Sequence, residues 1–185
     1  ATNKGIPIPL FRFPRTYFCQ KCNYIQTLQP TDKNTPECKE CKSHKMVPVP
    51  LVSICDHGHA QEFPWNAWVH KTSHPACEGN KLYFKDTGIP GLAGLQIECK
   101  ECGKKRHLAG VTSATSPEQT FLSDNLSENE DRFLCKGEKP WLHYSRDPGC
   151  SRPLRASLRS AGNLYFPVVR SAIHIPSFGI PKRLQ

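Results

Sequence analysis

Long apolar runs are missing from this chain, and so are the short motifs that mark most catalytic machinery. No stretch approaches the ~20 apolar residues that span a bilayer, and no apolar segment follows a basic start as in a secretory signal. The expectation is a cytoplasmic protein with no membrane partner. Leu, Ile, Val and Phe supply only 40 of 185 residues, barely above the roughly one-fifth below which chains stay disordered. The core should therefore be thin and divided. Helix-friendly composition is lacking as well: 17 Pro and 12 Gly favour short strands and long loops over helical bundles. There is no G-x4-G-K-[ST] loop, no H-E-x-x-H helix and no G-x-S-x-G elbow. The glycines of "GIPGLAGL" (Gly88 to Leu95) lie three apart, which is not a dinucleotide fingerprint. The chain does not read as an enzyme.

Cysteine is what the chain has instead. Cys19 and Cys22 form one C-x2-C pair, Cys38 and Cys41 a second, with fifteen residues between the pairs. A C-x2-C turn aims two sulfurs at one point, and a loop of that length returns a second turn to complete a tetrahedron. Asn23 follows the first pair, where a knuckle needs a residue that tolerates positive φ. The competing interpretation is a set of disulfides or redox dithiols. Without a secretory signal, ten cysteines point to a reducing compartment and thiolate ligands.

Cys99 and Cys102 make a third pair, with Gly103 behind it and Cys135 and Cys150 downstream as single candidates. Taken in chain order, Cys99, Cys102, Cys135 and Cys150 form a second four-thiolate site. Cys55 and Cys77 remain, flanked by histidines in "CDHGH" and "WVH". Cys55, His59, His70 and Cys77 would make a third tetrahedral set, with His57 an alternative to His59 and two buried thiols the plain alternative to a metal. The cofactor expected is zinc, two ions with a third at this last set. A catalytic zinc keeps one position open, and Cys55, His57, His59 and His70 are the one cluster from which a hydrolase site could be built.

The fold class expected is α+β, β-rich and irregular, with zinc-ribbon or knuckle-like sites and few short helices. Residues 1–50 read as an N-terminal zinc-knuckle module. Residues 51–185 read as a second cysteine-rich module with a mobile loop at 112–131. "GIPIPLFRFPRTYFC" suggests an extended edge segment, and "VPVPLVSIC", "KLYFKDTG" and "LAGLQIEC" suggest strands. Trp65, Trp68 and Val69 recur at helical spacing after Pro64, so a short helix to His70 is expected, its tryptophans in the core. "SRPLRASLRSAG" carries helix punctuation, with Ser151 as cap, Pro153 near the first turn and Gly162 as terminator. "NLYFPVVRSAIHIP" reads as an apolar strand region.

The formal charge is +9. Each zinc held by four thiolates is a −2 unit, so two such sites lower the total to about +5. The ends carry the excess: residues 1–50 hold eight Lys/Arg against three acids, and residues 146–185 hold seven against one. Two clusters suit backbone phosphates: Lys104, Lys105 and Arg106 beside a knuckle, and Arg152, Arg155 and Arg159 on the expected helix. Neither forms a base-reading code.

"RSAGNLYFPVVRSAIHIP" (Arg159 to Pro176) resembles a signature of the DrmB family, part of the bacterial DISARM anti-phage system. "FPRTYFCQKC", "CDHGHAQEFPWNAWVH", "IECKECGKKRHLAGV" and "CKGEKPWLHY" match that family's cysteine-rich region in order, over most of the chain. Family members are usually much longer, so the resemblance is to a segment. It implies a non-catalytic zinc-binding companion of a helicase-type partner acting on foreign DNA, directly or through that partner.

Overall fold

The computed structural model describes residues 11–29, 32, 35–128, 131–162 and 164. Among them, short strands dominate, as the proline and glycine content requires. In chain order they are β1 (Thr16–Cys19), β2 (Tyr24–Thr27), β3 (Met46–Pro48), β4 (Leu51–Ile54) and β5 (Ala60–Glu62). Helix α1 (Trp65–His70) follows, then β6 (Leu82–Asp86), β7 (Leu95–Cys99) and β8 (Lys105–His107). The last elements are β9 (Ala114–Ser116), β10 (Gln119–Thr120), α2 (Phe121–Leu126), β11 (Glu138–Lys139), β12 (Ser145–Arg146) and β13 (Arg155–Leu158). The β-rich expectation holds.

A six-stranded antiparallel sheet runs β3-β1-β2-β6-β7-β8, and a three-stranded one runs β13-β4-β5. The sheet passes across residue 50, because β2 pairs with β6 through Tyr24↔Tyr83 and Ile25↔Leu82. The first strand is internal to it, flanked by β3 and β2, where the proline-rich lead-in suggested an edge. One core joins the layers: Ile25, Val49, Leu51, Phe63, Trp65, Trp68, Phe84, Ile97, Leu122 and Leu154 pack in it together. Every residue of β4 is buried, because Val52 and Ile54 pack in a second cluster with Ala60 while Leu51 enters the main core.

Helix α1 forms where the sequence places it, ended by Lys71 in the left-handed conformation. Trp68 is 1% exposed, and its indole N–H donates to the His107 carbonyl at 3.2 Å. Arg106 lays its guanidinium over that ring, 3.5 Å from the centroid, and donates to the Trp68 carbonyl at 3.0 Å and Asn125 Oδ1 at 2.6 Å. Burial depresses the Arg106 pKa.

Within the stretch 112–131, expected as a mobile loop, residues 114–126 hold β9, β10 and α2. Thr120 caps α2 by accepting from Ser123 N–H at 3.2 Å, and its hydroxyl donates to Leu154 C=O at 2.5 Å. Leu122 and Leu126 are fully buried. The expected helix from Ser151 to Gly162 is instead an irregular lead-in and strand β13, paired in register with β4 from Arg155↔Ile54 to Leu158↔Leu51. A hydrophobic edge awaiting a partner overrides local helix signals. The strand region read from Asn163 to Pro176 lies outside the described residues except for Leu164.

Trp68→Ala removes both the largest fully buried side chain among the described residues and the platform for Arg106. We expect a loss of about 3–5 kcal/mol in urea unfolding; a loss below about 1 kcal/mol would show that this packing is dispensable.

Candidate metal centres

Ten cysteines and two histidines converge into three groups: Cys19, Cys22, Cys38 and Cys41; Cys55, His59, Cys135 and Cys150; and His70, Cys77, Cys99 and Cys102. Within each, all donor atoms lie within 4.8 Å of one another. All ten cysteines are free thiols.

The first group is built locally. Cys19 ends β1, and its carbonyl accepts the Asn23 N–H at 2.8 Å while its sulfur accepts the Lys21 N–H at 3.3 Å. Lys42 N–H closes the matching turn onto Cys38 C=O at 2.9 Å. Asn23 and Lys42 both take positive φ, 63° and 58°, as a knuckle requires.

The other two groups correct the chain-order grouping. Cys99 and Cys102 lie with His70 and Cys77, not with Cys135 and Cys150, which lie with Cys55 and His59. The exchange follows from strand pairing. Leu82 is opposite Cys99 in the β6–β7 hairpin, which brings the 71–81 connection and Cys77 beside that knuckle. The turn from Cys55 to His59 joins β4 to β5, and β13 pairs with β4. Cys135 N–H donates to Arg152 C=O at 2.9 Å, which holds the Cys135 and Cys150 segments at the same end. Sequence proximity could not reveal this, because the pairing of β13 is set about a hundred residues from β4. The cluster Cys55, His57, His59 and His70 is not assembled either: His70 belongs to a different centre from Cys55 and His59.

Donor spacing can be tested against zinc. Metal–sulfur bonds of about 2.3 Å and metal–nitrogen bonds of about 2.0–2.1 Å give tetrahedral edges of about 3.8 Å (S···S) and 3.6 Å (S···N). The sulfurs of Cys19 and Cys41 are 3.5 Å apart, those of Cys22 and Cys38 3.6 Å, and those of Cys77 and Cys99 3.7 Å. Cys55 Sγ lies 3.4 Å from His59 Nδ1, and Cys102 Sγ lies 3.1 Å from His70 Nε2. The donor sets fit one tetrahedral, thiolate-loving dication each.

Titration behaviour agrees. Burial pushes the Cys22 thiol up to about 12, with the sulfurs of Cys41, Cys38 and Cys19 adding to it. Cys19 falls to about 7: burial raises it, but the N–H groups of Cys22 and Lys21 outweigh that. Cys102 is likewise drawn down to about 7, chiefly by the Lys104 N–H. Cys77 rises to about 12: the Gly79 N–H pulls it down, but burial, Glu101 and two sulfurs prevail. Crowded thiols cannot all ionise beside one another unless a cation offsets their charge.

The supporting contacts were not legible in the sequence. With His59 Nδ1 turned to the sulfurs, its Nε2–H donates to Asp147 Oδ2 at 3.0 Å. Lys139 Nζ lies 2.6 Å from the same oxygen, and Lys139 and His59 hold the Asp147 pKa down. His70 reverses its ring, donating Nδ1–H to Asn66 C=O at 2.8 Å. Such partners fix the tautomer and orientation of a ligating imidazole. Arg152 grips Asp56, next to Cys55, with two bonds from Nε at 2.8 and 3.0 Å, and reaches Glu118 at 2.7 Å.

The candidate phosphate contacts are dispersed. Arg106 is committed to Trp68 and Asn125, Arg152 to Asp56 and Glu118, and Lys105 to Glu98 at 3.1 Å. Lys104, Arg155 and Arg159 are exposed, on the β7–β8 hairpin and on or just after β13.

A β-rich fold with three clusters able to hold metal ions defines a cysteine-rich module. The chain belongs to the family described as "Domain of unknown function (DUF8724)", which matches residues 1–166. It is also similar to the DISARM protein DrmB of Bacillus paralicheniformis, 31% identical over 184 residues. That alignment covers 95% of this chain and 30% of the relative, so the chain spans less than a third of that protein's length. Among the described residues, no helix is long and apolar enough to cross a membrane.

The grouping makes a stoichiometric prediction. Cys55→Ser with Cys150→Ser should remove one metal equivalent from natively purified protein, because both belong to one centre; chain-order grouping requires two. Asp147→Asn should weaken metal retention at that centre about 10–100-fold in chelator competition. Retention equal to wild type would leave Asp147 without a supporting role.

Proposed function

We propose that this chain is a non-catalytic, zinc-stapled segment of an anti-phage defence component of the DISARM type. In this reading it assists a helicase-type partner in engaging foreign DNA. One observation carries it: all ten cysteines, with two histidines, form three closed four-donor groups. A structural zinc site is closed in this way, whereas a catalytic one keeps a position for water or substrate. The similarity to a DrmB protein supports the defence assignment.

Cys19, Cys22, Cys38 and Cys41 would hold one zinc. Cys55, His59, Cys135 and Cys150 would hold the second, and His70, Cys77, Cys99 and Cys102 the third. Metal supplies cross-links here and no chemistry. Phosphate contact is assigned to Lys104, Arg155 and Arg159, the members of the two basic clusters whose side chains no internal ion pair claims among the described residues.

Elemental analysis of natively purified protein should give three zinc ions per chain. Fewer than one, with the thiols reduced, would overturn the reading. Duplex oligonucleotides titrated across a salt series should give a log–log slope of about −2.7 for three phosphate contacts. Reversing the charge of Lys104, Arg155 and Arg159 together should remove that slope without sequence bias. Absence of binding at low salt, both alone and together with any helicase recovered by co-purification, would transfer these residues to a protein interface.

A further inference from the structure

The three centres differ in exposure. Cys19, Cys38, Cys55, His59 and Cys135 are buried and Cys22, Cys41 and Cys150 half-buried, so two centres show no exposed ligand. Of the twelve donors, Cys102 alone is exposed, and Cys77 in the same centre is half-buried. Cys102 sits in the tight turn between β7 and β8. Cys77 lies in the connection between α1 and β6, in no helix or strand.

A carboxylate adds a second asymmetry. Glu101 Oε2 lies 3.3 Å from Cys77 Sγ and is fixed there by the Asn80 N–H at 3.2 Å. Three thiolates and a neutral imidazole around a dication leave the centre at −1. Once metal has displaced the thiol proton, no hydrogen remains between Glu101 and Cys77, and the two anions repel. That repulsion raises electron density on the sulfurs and loosens Cys77.

We infer that the His70–Cys77–Cys99–Cys102 centre is an oxidation site, oxidised by hydrogen peroxide at Cys102, which gives up its metal while the other centres keep theirs. This rests on the zinc reading above. The Cys102 thiolate attacks a peroxide oxygen, the O–O bond breaks, and the leaving hydroxide takes a proton to become water; Cys102 is now a sulfenic acid. Cys77 or Cys99 thiolate then attacks that sulfur, forming a disulfide and expelling a second hydroxide, protonated to water. Two sulfurs have lost two electrons to one peroxide. Zinc keeps only His70 and one thiolate, and dissociates. The donor sulfurs already lie within 4.8 Å, so disulfide closure needs only side-chain movement and a small shift of an irregular connection.

Zinc-loaded full chain is exposed to limiting hydrogen peroxide with a chromogenic chelator present, and thiols are mapped by mass spectrometry. One zinc equivalent should leave about tenfold faster than the others, together with a disulfide containing Cys102. Glu101→Gln, which keeps every ligand and so the fold, should slow that phase at least about threefold. Release of all three equivalents at one rate, first oxidation at Cys19, Cys22, Cys38 or Cys41, or an E101Q rate equal to wild type overturns the inference and leaves the zinc reading standing. A purified protein that never held zinc overturns both.

Discussion

Ten thiol sulfurs and two imidazole nitrogens drawn into three knots, each less than 5 Å across, are the constraint around which this chain is arranged. A fully buried aliphatic or aromatic side chain contributes about 1.5–3 kcal/mol. A structural zinc contributes about 10–16 kcal/mol in zinc-finger peptides at neutral pH. With so few large apolar residues, metal cross-links would rival the core in holding these strands together. The positions of the knots fit this: they sit at the ends of β1 and β7, at the turn between β4 and β5, and where α1 gives way to β6.

Charge is spent inside the fold more than composition suggests. The sequence grouping and the structural grouping give the same total, about −4 for three zinc-loaded centres, so the formal +9 again falls to about +5. Their distribution differs: loaded with zinc, one centre would carry −2 and the two histidine-containing centres −1 each. Arg106 and Arg152 then leave the pool of free cations, the first stacked on Trp68 and the second clamped between Asp56 and Glu118. A basic isoelectric point therefore overstates the surface available to phosphate.

What the sequence made legible was local. The Cys19–Cys41 group, the knuckle turn at Asn23, helix α1 and strands β6 and β7 depend on residues close in the chain, and their patterns could be read directly. What it hid was non-local. Ser151, Pro153 and Gly162 satisfy the rules for a helix, yet Arg155–Leu158 pairs with β4 because Ala156 enters the core there and Leu154 just before it. The polar stretch 112–131 looked solvated, yet Leu122 and Leu126 are fully buried in the core, and Thr120 and Ser123 tie α2 to Leu154. The ligand residues could be named but not grouped, since grouping needs the strand register.

The regrouping also orders how the centres can form. Cys19 and Cys41 are 22 residues apart, as are Cys77 and Cys99, so each of these centres closes a short loop. Cys55 and Cys150 are 95 residues apart, and each doubling of loop length adds only about 0.6 kcal/mol. Closure entropy alone therefore separates the centres by little more than about 1 kcal/mol. Geometry separates them more. The Cys55–His59–Cys135–Cys150 centre needs β13 on β4, Cys135 bonded to Arg152, and Asp147 reaching His59 from 88 positions away. The other two centres can organise within one hairpin and its neighbours, while this one joins the β4–β5 turn to the segments around β13 near the end of the described fold. Its four donors therefore depend on the longest-range pairing of the three centres.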